Sequence, residues 1–278
     1  MEHVSHRLAN IGHLRIFVVA ILALSLAEML WRLYLARMGY DIKGALASLV
    51  IGIGNRFAGA FDALMLFGIY AAVGRFAPVH WSISDWRVWV VGFVLVEFMY
   101  YWSHRFSHAV RWMWATHAVH HTPEEITFLS AVRLGWTNFF SLNWLFRLPL
   151  ILAGFDPRMI ATWLVIDLHY QFFLHTESIR KLGPLEWVLN TPAHHRVHHA
   201  SNEAYIDCNF GGMVIVFDRL FGTFREESEN DRVRYGLAHP FGTQNPLVMV
   251  FGEWRRLFAD MFKAGGWRGA LKVALGKP

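Results

Sequence analysis

The sequence predicts an all-α integral membrane protein, a helical bundle of about four or five spans with a histidine-rich helical cap. Hydrophobic residues make up 55% of the chain and aromatic residues 16%, and the mean hydropathy is +0.29, a composition typical of membrane proteins. Eleven of the sixteen histidines fall between residues 104 and 199, in polar segments that alternate with apolar ones. A membrane protein with a metal site is therefore the first expectation.

Five apolar runs are candidate spans, because a bilayer core about 30 Å thick needs roughly 20 helical residues. The first run is expected to be a retained anchor, since no small-residue cleavage site follows it. The last two runs are short and are joined by the turn-like residues 154–157, which predicts a helical hairpin. The candidate spans are residues 16–35, 57–76, 88–102, 139–154 and 159–174.

Residues 1–278 are predicted to form a single domain, because no repeat, low-complexity tract or flexible linker divides them. Residues 103–136 and 176–278 are polar enough to form a cap outside the bilayer. These two segments lie on one side of the membrane if the predicted hairpin between them, residues 139–174, crosses the bilayer twice. The basic residues of the connection after the first span predict that this side is cytoplasmic, as in a protein of the bacterial inner membrane. These residues are Arg37, Lys43 and Arg56.

Composition also argues against several classes of protein. The single cysteine, Cys208, excludes an intrachain disulfide framework and an iron–sulfur cluster held by cysteines. The net charge of +5 comes from scattered arginines, so no nucleic-acid partner is predicted.

The spacing of the histidines favours metal binding. Three clusters combine spacings of three and four residues, which place imidazoles on one face of a helical turn, with Cβ atoms about 5 to 6 Å apart. Crowded imidazoles repel one another when they are protonated and lack hydrogen-bond partners when they are neutral. A bound metal ion solves both problems. A further histidine lies where the predicted hairpin returns to the cap. The nine predicted ligands are His104, His108, His117, His120, His121, His175, His195, His198 and His199.

Nine imidazoles predict two metal ions, because one site rarely takes more than about five ligands. The sequence contains neither the Glu-x-x-His pairs of soluble di-iron bundles nor an HExxH motif. Imidazole suits zinc, copper, iron and nickel alike. Iron with dioxygen fits best at a membrane face, since that chemistry can oxidise the unactivated C–H bonds of lipids.

The three clusters resemble the histidine boxes of the fatty acid hydroxylase and sterol desaturase superfamily of membrane di-iron enzymes. The boxes are HRFSH at 104–108, HAVHH at 117–121 and HRVHH at 195–199. Flanking phrases add a similarity to the alkylglycerol monooxygenase-like branch of the superfamily, over roughly residues 40 to 245. These phrases are YYW from residue 100, QFFLHTE from 171, LNTP from 189, DRLFGTF from 218 and YGL from 235.

The resemblance implies an oxidoreductase that uses two iron ions and dioxygen to hydroxylate a C–H bond of a membrane lipid. Desaturation of a lipid or sterol is an alternative outcome on the same ligands. The resemblance also implies an external reductant, either tetrahydrobiopterin or a donor protein of the cytochrome b5 or ferredoxin type. No GxGxxG fingerprint for a bound flavin or nicotinamide occurs in the sequence.

Four further residues are candidates for metal contact or for hydrogen bonds to the ligands. His194 adjoins the third box but lies off its pattern, and His169 lies six residues before His175. Gln171 lies one turn before His175, where some superfamily members carry a histidine. Asn209 is expected either to hold a metal-bound water or to satisfy a turn.

Three carboxylates, Asp207, Asp218 and Glu177, are expected to orient ligand histidines by accepting hydrogen bonds from their outer N–H groups. Asp218 has the alternative of a structural ion pair with Arg219.

Two functions without oxygenation stay open at this point. A haem or metal-ion carrier would place paired histidines at bilayer depth, whereas these histidines lie in polar segments beyond the apolar runs. A structural zinc scaffold would use the same ligands without catalysis.

Overall fold

The computed structural model describes residues 18–278, and regular secondary structure in this part of the chain is helical. Its strand-like pairings are isolated bridges, one between Leu189 and Val214 and one between Ala200 and Tyr235. The predicted all-α class is confirmed for these residues.

The described α-helices are numbered α1 to α10 in chain order. The last turn of α1 is a π-helix, and short 3₁₀ turns at Ala118–His121 and Asn143–Arg147 follow α4 and precede α5. The helices are α1 Val18–Ala36, α2 Ile42–Gly74, α3 Trp86–Ala109, α4 Arg111–His117, α5 Leu148–Leu152, α6 Pro157–Phe172, α7 Pro192–His198, α8 Val216–Phe221, α9 Pro246–Lys263 and α10 Trp267–Leu275.

Among the described residues, α1 and α2 are the helices long and apolar enough to cross a membrane. Residues 16 and 17 of the first predicted span lie outside the described residues. Large apolar side chains on α2 face away from the rest of the molecule, for example Phe57 with 76% of its surface exposed and Leu64 with 69%. Such a face suits lipid better than water.

The second predicted span began too late. Helix α2 begins at Ile42 because the side chain of Asp41 caps it, accepting a 2.9 Å hydrogen bond from the Gly44 backbone N–H. Lys43 and Arg56 therefore lie inside a helix, and only Arg37 belongs to the connection after α1.

The prediction of a span over residues 139–154 is wrong. This segment holds the 3₁₀ turn Asn143–Arg147 and the five-residue helix α5, which together are too short to cross a bilayer core of about 30 Å. The run 159–174 does correspond to a regular helix, α6, which is about 24 Å long. Helix α3 contains the run 88–102 and continues through the first histidine box.

The hairpin turn before α6 lies at the far end of the bundle from the histidines. The Trp81 backbone N–H donates to the carbonyl of Gly154 at 3.0 Å, and the Trp81 indole donates to the carbonyl of Ala153 at 2.8 Å. Asp156 caps the start of α6 by accepting from the Arg158 N–H at 2.7 Å. Since α3 also starts at this end, both helices run from here toward the histidine segments.

Buried carboxylates join the apolar helices to the cap. Glu97 on α3 accepts from the backbone N–H groups of Met213 and Val214 at 2.9 and 3.0 Å. Glu28 on α1 accepts from the backbone N–H of Phe128 at 2.7 Å and from the Thr176 hydroxyl. These bonds satisfy ionisable groups that would otherwise be expensive in an apolar bundle.

Gly54→Ala is expected to destabilise the protein by about 1–3 kcal/mol, because it overpacks a close contact between α2 and the cap. A Cβ atom at Gly54 would lie 2.3 Å from Cζ2 of Trp136, whose indole is held by a 2.8 Å bond to the Ile51 carbonyl. Gly59 on the same helix has nothing within 4 Å of an added Cβ, so Gly59→Ala is the matched control. Thermal unfolding in detergent should show a lower transition for the first variant only, and equal transitions would contradict this packing.

Candidate metal centre

The structure brings the nine predicted histidines together in two adjoining clusters. Within each cluster the candidate ligand atoms all lie within 4.8 Å of one another, and every side chain is buried except the partly buried His117. The first cluster contains His104, His108, His117, His121 and His198. The second cluster contains His120, His175, His195 and His199.

Local helix geometry explains how neighbouring residues reach different clusters. His120 and His121 lie in a 3₁₀ turn, where successive side chains point about 120° apart. On α7, His195 and the following His199 are one turn apart and share the second cluster, while His198 faces the first. The two clusters adjoin where the rings of His121 and His199 stack, with 4.5 Å between their centroids.

Backbone carbonyls set the protonation of several of the clustered histidines. The Nδ1 atom of His104 lies 2.8 Å from the Phe210 carbonyl oxygen, that of His175 lies 2.8 Å from the Gln171 carbonyl oxygen, and that of His198 lies 2.9 Å from the Cys208 carbonyl oxygen. The Nδ1 atom of His120 lies 3.3 Å from the carbonyl of Arg133. Because a carbonyl oxygen can only accept, each Nδ1 carries the proton, and the neutral ring keeps a bare lone pair on Nε2.

These bare Nε2 atoms face one another. His120 Nε2 and His175 Nε2 are 3.2 Å apart, and neither carries a proton with which to form a hydrogen bond. The buried Nε2 of His198 has no hydrogen-bond partner among the described residues. One metal ion in each cluster would satisfy these lone pairs.

The nitrogen spacing also fits a metal ion. His175 Nε2 lies 3.0 Å from His195 Nε2, which in turn lies 3.0 Å from His199 Nε2. In the first cluster, His117 Nε2 lies 3.0 Å from His104 Nε2 and 3.2 Å from His121 Nε2. Two nitrogens about 2.1 Å from one ion, at right angles, would lie about 3.0 Å apart.

Burial keeps the cap histidines neutral. It lowers the pKa of His120 to about 4 and lowers the pKa values of His175 and His195 well below the ordinary range. The neighbouring imidazoles lower them further, because adjacent positive charges would repel. The neutral ring is the form that binds a metal.

Asp218 positions the first cluster through the backbone. Its carboxylate accepts from the N–H groups of Phe210 and Gly211, both at 2.8 Å, and from the Thr223 hydroxyl at 2.7 Å. The Phe210 carbonyl held in this way is the one that accepts from His104. The alternative ion pair with Arg219 does not form, because that guanidinium lies over the Phe224 ring, 3.7 Å from its centroid.

Asp207 contacts a ligand histidine directly, whereas Asn209 serves the turn. Asp207 Oδ1 lies 3.6 Å from His108 Nδ1. Both polar groups of the Asn209 amide are occupied by main chain: Nδ2 donates to the His194 and Arg225 carbonyls, and Oδ1 accepts from the Arg225 N–H. Of the two roles expected for Asn209, the geometry favours satisfaction of the turn.

The other predicted residues around the ligands lie outside both clusters. His169 is partly buried on α6, with its Nδ1 2.6 Å from the Val165 carbonyl, and buried His194 lies 3.9 Å from Glu186. Gln171 supports His175 through its carbonyl, while its side chain joins Tyr100 at 2.9 Å and Asp167 at 2.7 Å. Among residues 18–278, Glu177 forms no hydrogen bond or ion pair with a histidine: it pairs with Arg32 at 2.6 Å and accepts from the Tyr235 hydroxyl at 3.2 Å.

Sequence reasoning missed the groups that support the ligands. Main-chain acceptors carry no residue signature, so nothing in the sequence marks the carbonyls of Phe210 and Cys208. Arg133 is also new: its side chain is 1% exposed and donates to the Gly44 carbonyl at 2.7 Å and to the Ser48 hydroxyl at 3.1 Å, while its carbonyl faces His120. The only sequence feature that could have indicated this role is the position of Arg133 between two apolar runs.

Comparison with known proteins supports the same class of site. The model of the fatty acid hydroxylase family matches residues 89–223. Human alkylglycerol monooxygenase is 38% identical over 242 residues, which is 81% of this chain and 53% of the relative. The alkylglycerol monooxygenase of Danio rerio is 46% identical over 199 residues, 72% of this chain and 43% of the relative.

A more distant relative has a different lipid in its name. An ornithine lipid hydroxylase of Rhizobium tropici is 29% identical over 165 residues, 59% of this chain and 49% of the relative. The chain thus spans about half the length of the curated relatives it matches. No solved structure matches the chain significantly. Since residues 89–223 contain all nine clustered histidines, the chain belongs to the fatty acid hydroxylase superfamily through this domain.

Proposed function

We propose that the protein is a di-iron membrane oxygenase that uses dioxygen to hydroxylate a C–H bond of a lipid. The observation that carries this proposal is the pair of histidine clusters, five and four imidazoles whose ligand nitrogens converge. The similar proteins named as lipid hydroxylases and monooxygenases support oxygenation over a carrier or a structural zinc site. Their names also favour hydroxylation over desaturation.

The first cluster would hold one iron ion and the second cluster the other. The bound ions would supply the activation of dioxygen that oxidation of an unactivated C–H bond requires. The residues of the chain hold the imidazoles neutral, fix their Nδ1 protons on carbonyls and surround them with buried side chains. Electrons would come from an external reductant, either a tetrahydrobiopterin-type pterin or a donor protein of the cytochrome b5 or ferredoxin type.

The membrane arrangement in this proposal keeps the histidine cap on the cytoplasmic side of a bacterial inner membrane. Arg37, which follows the candidate span α1, lines the same cavity as Glu124 and Glu177 of the histidine segments. A basic connection beside the cap supports this arrangement, because the positive-inside rule then favours the cytoplasm.

The test is metal analysis joined to a labelled turnover assay. Protein purified in detergent should contain about two iron ions per chain. With ¹⁸O₂ and a reductant, a bilayer lipid extract should yield a product that has gained one labelled oxygen. A haem Soret band, or a metal that supports no oxygen-dependent product with any of the three reductant types, would contradict the proposal. A product that has only lost two hydrogens would make the protein a desaturase.

A further inference from the structure

A large charged cavity adjoins the histidine clusters. Its volume is about 750 Å³, and its wall combines the end of α1 with the segments that follow the second and third histidine boxes. Both arginines and glutamates line it. Its charged lining residues are Arg32, Arg37, Arg232, Arg234, Glu124, Glu125 and Glu177.

The positive charges of this lining are not balanced by its glutamates. Arg32 binds Glu125 at 3.1 Å and Glu177 at 2.6 Å, so one buried arginine occupies two of the carboxylates. Over residues 18–278, the side chains of the other three lining arginines have neither an ion pair nor a hydrogen bond, and Glu124 is the one lining glutamate without an ion pair. The three unpaired arginines are Arg37, Arg232 and Arg234.

The cavity lies close to the ligand histidines. Glu124 follows His121 by three residues and Glu177 follows His175 by two, so each can lie at most roughly 11 Å along the chain from a ligand. A third wall residue, Tyr235, pairs with Ala200, which directly follows His199. A molecule bound in the cavity would therefore lie beside the metal centre.

The cavity also lies where a candidate membrane span ends. Arg37 directly follows the last residue of α1, in a left-handed conformation with φ of 53°. Arginines at the end of an apolar helix meet the headgroup layer of a bilayer. Guanidinium groups bind phosphate and carboxylate oxygens in two-point contacts.

We propose that this cavity binds the anionic headgroup, phosphate or carboxylate, of the substrate lipid. Calling this lipid the substrate rests on the proposed oxygenase function. Arg37, Arg232 and Arg234 would hold the anionic oxygens, and the lipid carbons next to the headgroup would then be the ones presented to the metal centre. The cavity thus defines a lipid class by charge and predicts oxidation near the polar end of the lipid.

Substitution of these arginines is expected to change lipid binding without unfolding the wall. The Arg234 N–H donates to Asn202 Oδ1 at 2.8 Å and its carbonyl accepts from the Ser201 N–H at 2.7 Å, so the segment is held by its main chain. Arg232→Gln/Arg234→Gln removes two side-chain charges and keeps these bonds. Arg158→Gln, which removes an exposed arginine at the far end of α6, is the matched control.

The binding experiment uses iron-loaded full-length protein in detergent with three short-chain probes. These are dihexanoylphosphatidylglycerol, a short-chain acylated ornithine that carries a carboxylate, and uncharged dihexanoylglycerol. The double variant should bind at least one anionic probe about tenfold more weakly than the control and bind the neutral probe equally well. The anionic probe with the larger loss identifies phosphate or carboxylate.

Two results would overturn the headgroup assignment. One is equal loss, or no loss, for anionic and neutral probes. The other is unchanged lipid binding with a raised KM for the reductant, which would make the cavity a reductant site. Because binding is measured without turnover, absence of oxygenation with intact anionic selectivity would instead contradict the proposed function alone.

Discussion

His175→Ala should reduce lipid oxygenation by more than about 100-fold, beyond the 10- to 100-fold loss typical for partners that only orient a ligand. His175 belongs to the four-histidine cluster, is 2% exposed, and has its Nε2 at 3.0 Å from His195 and 3.2 Å from His120. Removing one of four ligands leaves a poor site, so iron content should fall from about two ions per chain to about one. Iron analysis and labelled turnover on the same preparation check both expectations.

His198→Ala is the equivalent substitution in the five-histidine cluster and should also remove one ion. His169→Ala is the matched control, since His169 is only partly buried and lies outside both clusters. Full iron content and turnover in His175→Ala and His198→Ala would mean that the clusters are not the metal site. A loss as large in His169→Ala would mean that the assay reports damage to the protein in general.

Asp218→Ala is expected to lower the free energy of unfolding by about 2 kcal/mol or more, because it leaves two buried backbone donors without an acceptor and each costs about 1–3 kcal/mol. The donors are the N–H groups of Phe210 and Gly211, and the partly buried Thr223 hydroxyl also loses its bond to Asp218. Release of the Phe210 carbonyl from His104 should also weaken iron binding by roughly 10- to 100-fold. Denaturant titration and iron titration measure the two effects separately.

Two comparison variants make this prediction specific. Asp218→Asn keeps an acceptor oxygen of the same reach and should lose less stability than the alanine variant. Asp207→Ala should cost at most about 1 kcal/mol, because the Asp207 side chain is 45% exposed and its contact with His108 is 3.6 Å long. Equal losses in Asp207→Ala and Asp218→Ala would contradict the positioning role of Asp218.

The sequence predicted the histidine-bearing helix well and the spans less well. Helix α3 runs through His104 and His108 without a break, which fits the absence of proline and glycine from residues 93–109. A hydropathy pattern depends on side-chain composition and does not detect helix capping. The predicted second span therefore started well after Asp41, the residue that caps α2. It also could not detect that Leu142, with φ of 66°, and the following 3₁₀ turn interrupt the run 139–154.

The spacing of the boxes alone identified eight of the nine histidines that gather, because residues three or four apart share a helix face wherever the helix lies. His175 was expected only from the position of the predicted hairpin. Only the tertiary structure decided how the nine divide. His120 and His121 are neighbours in the sequence and enter different clusters, and the proton on His104 is set by a carbonyl 106 residues away. The charged cavity likewise joins Arg32, Glu177 and Arg234, which local spacing cannot relate. Contacts between distant segments depend on how the helices and loops pack, and the spacing of residues within one segment does not specify that packing.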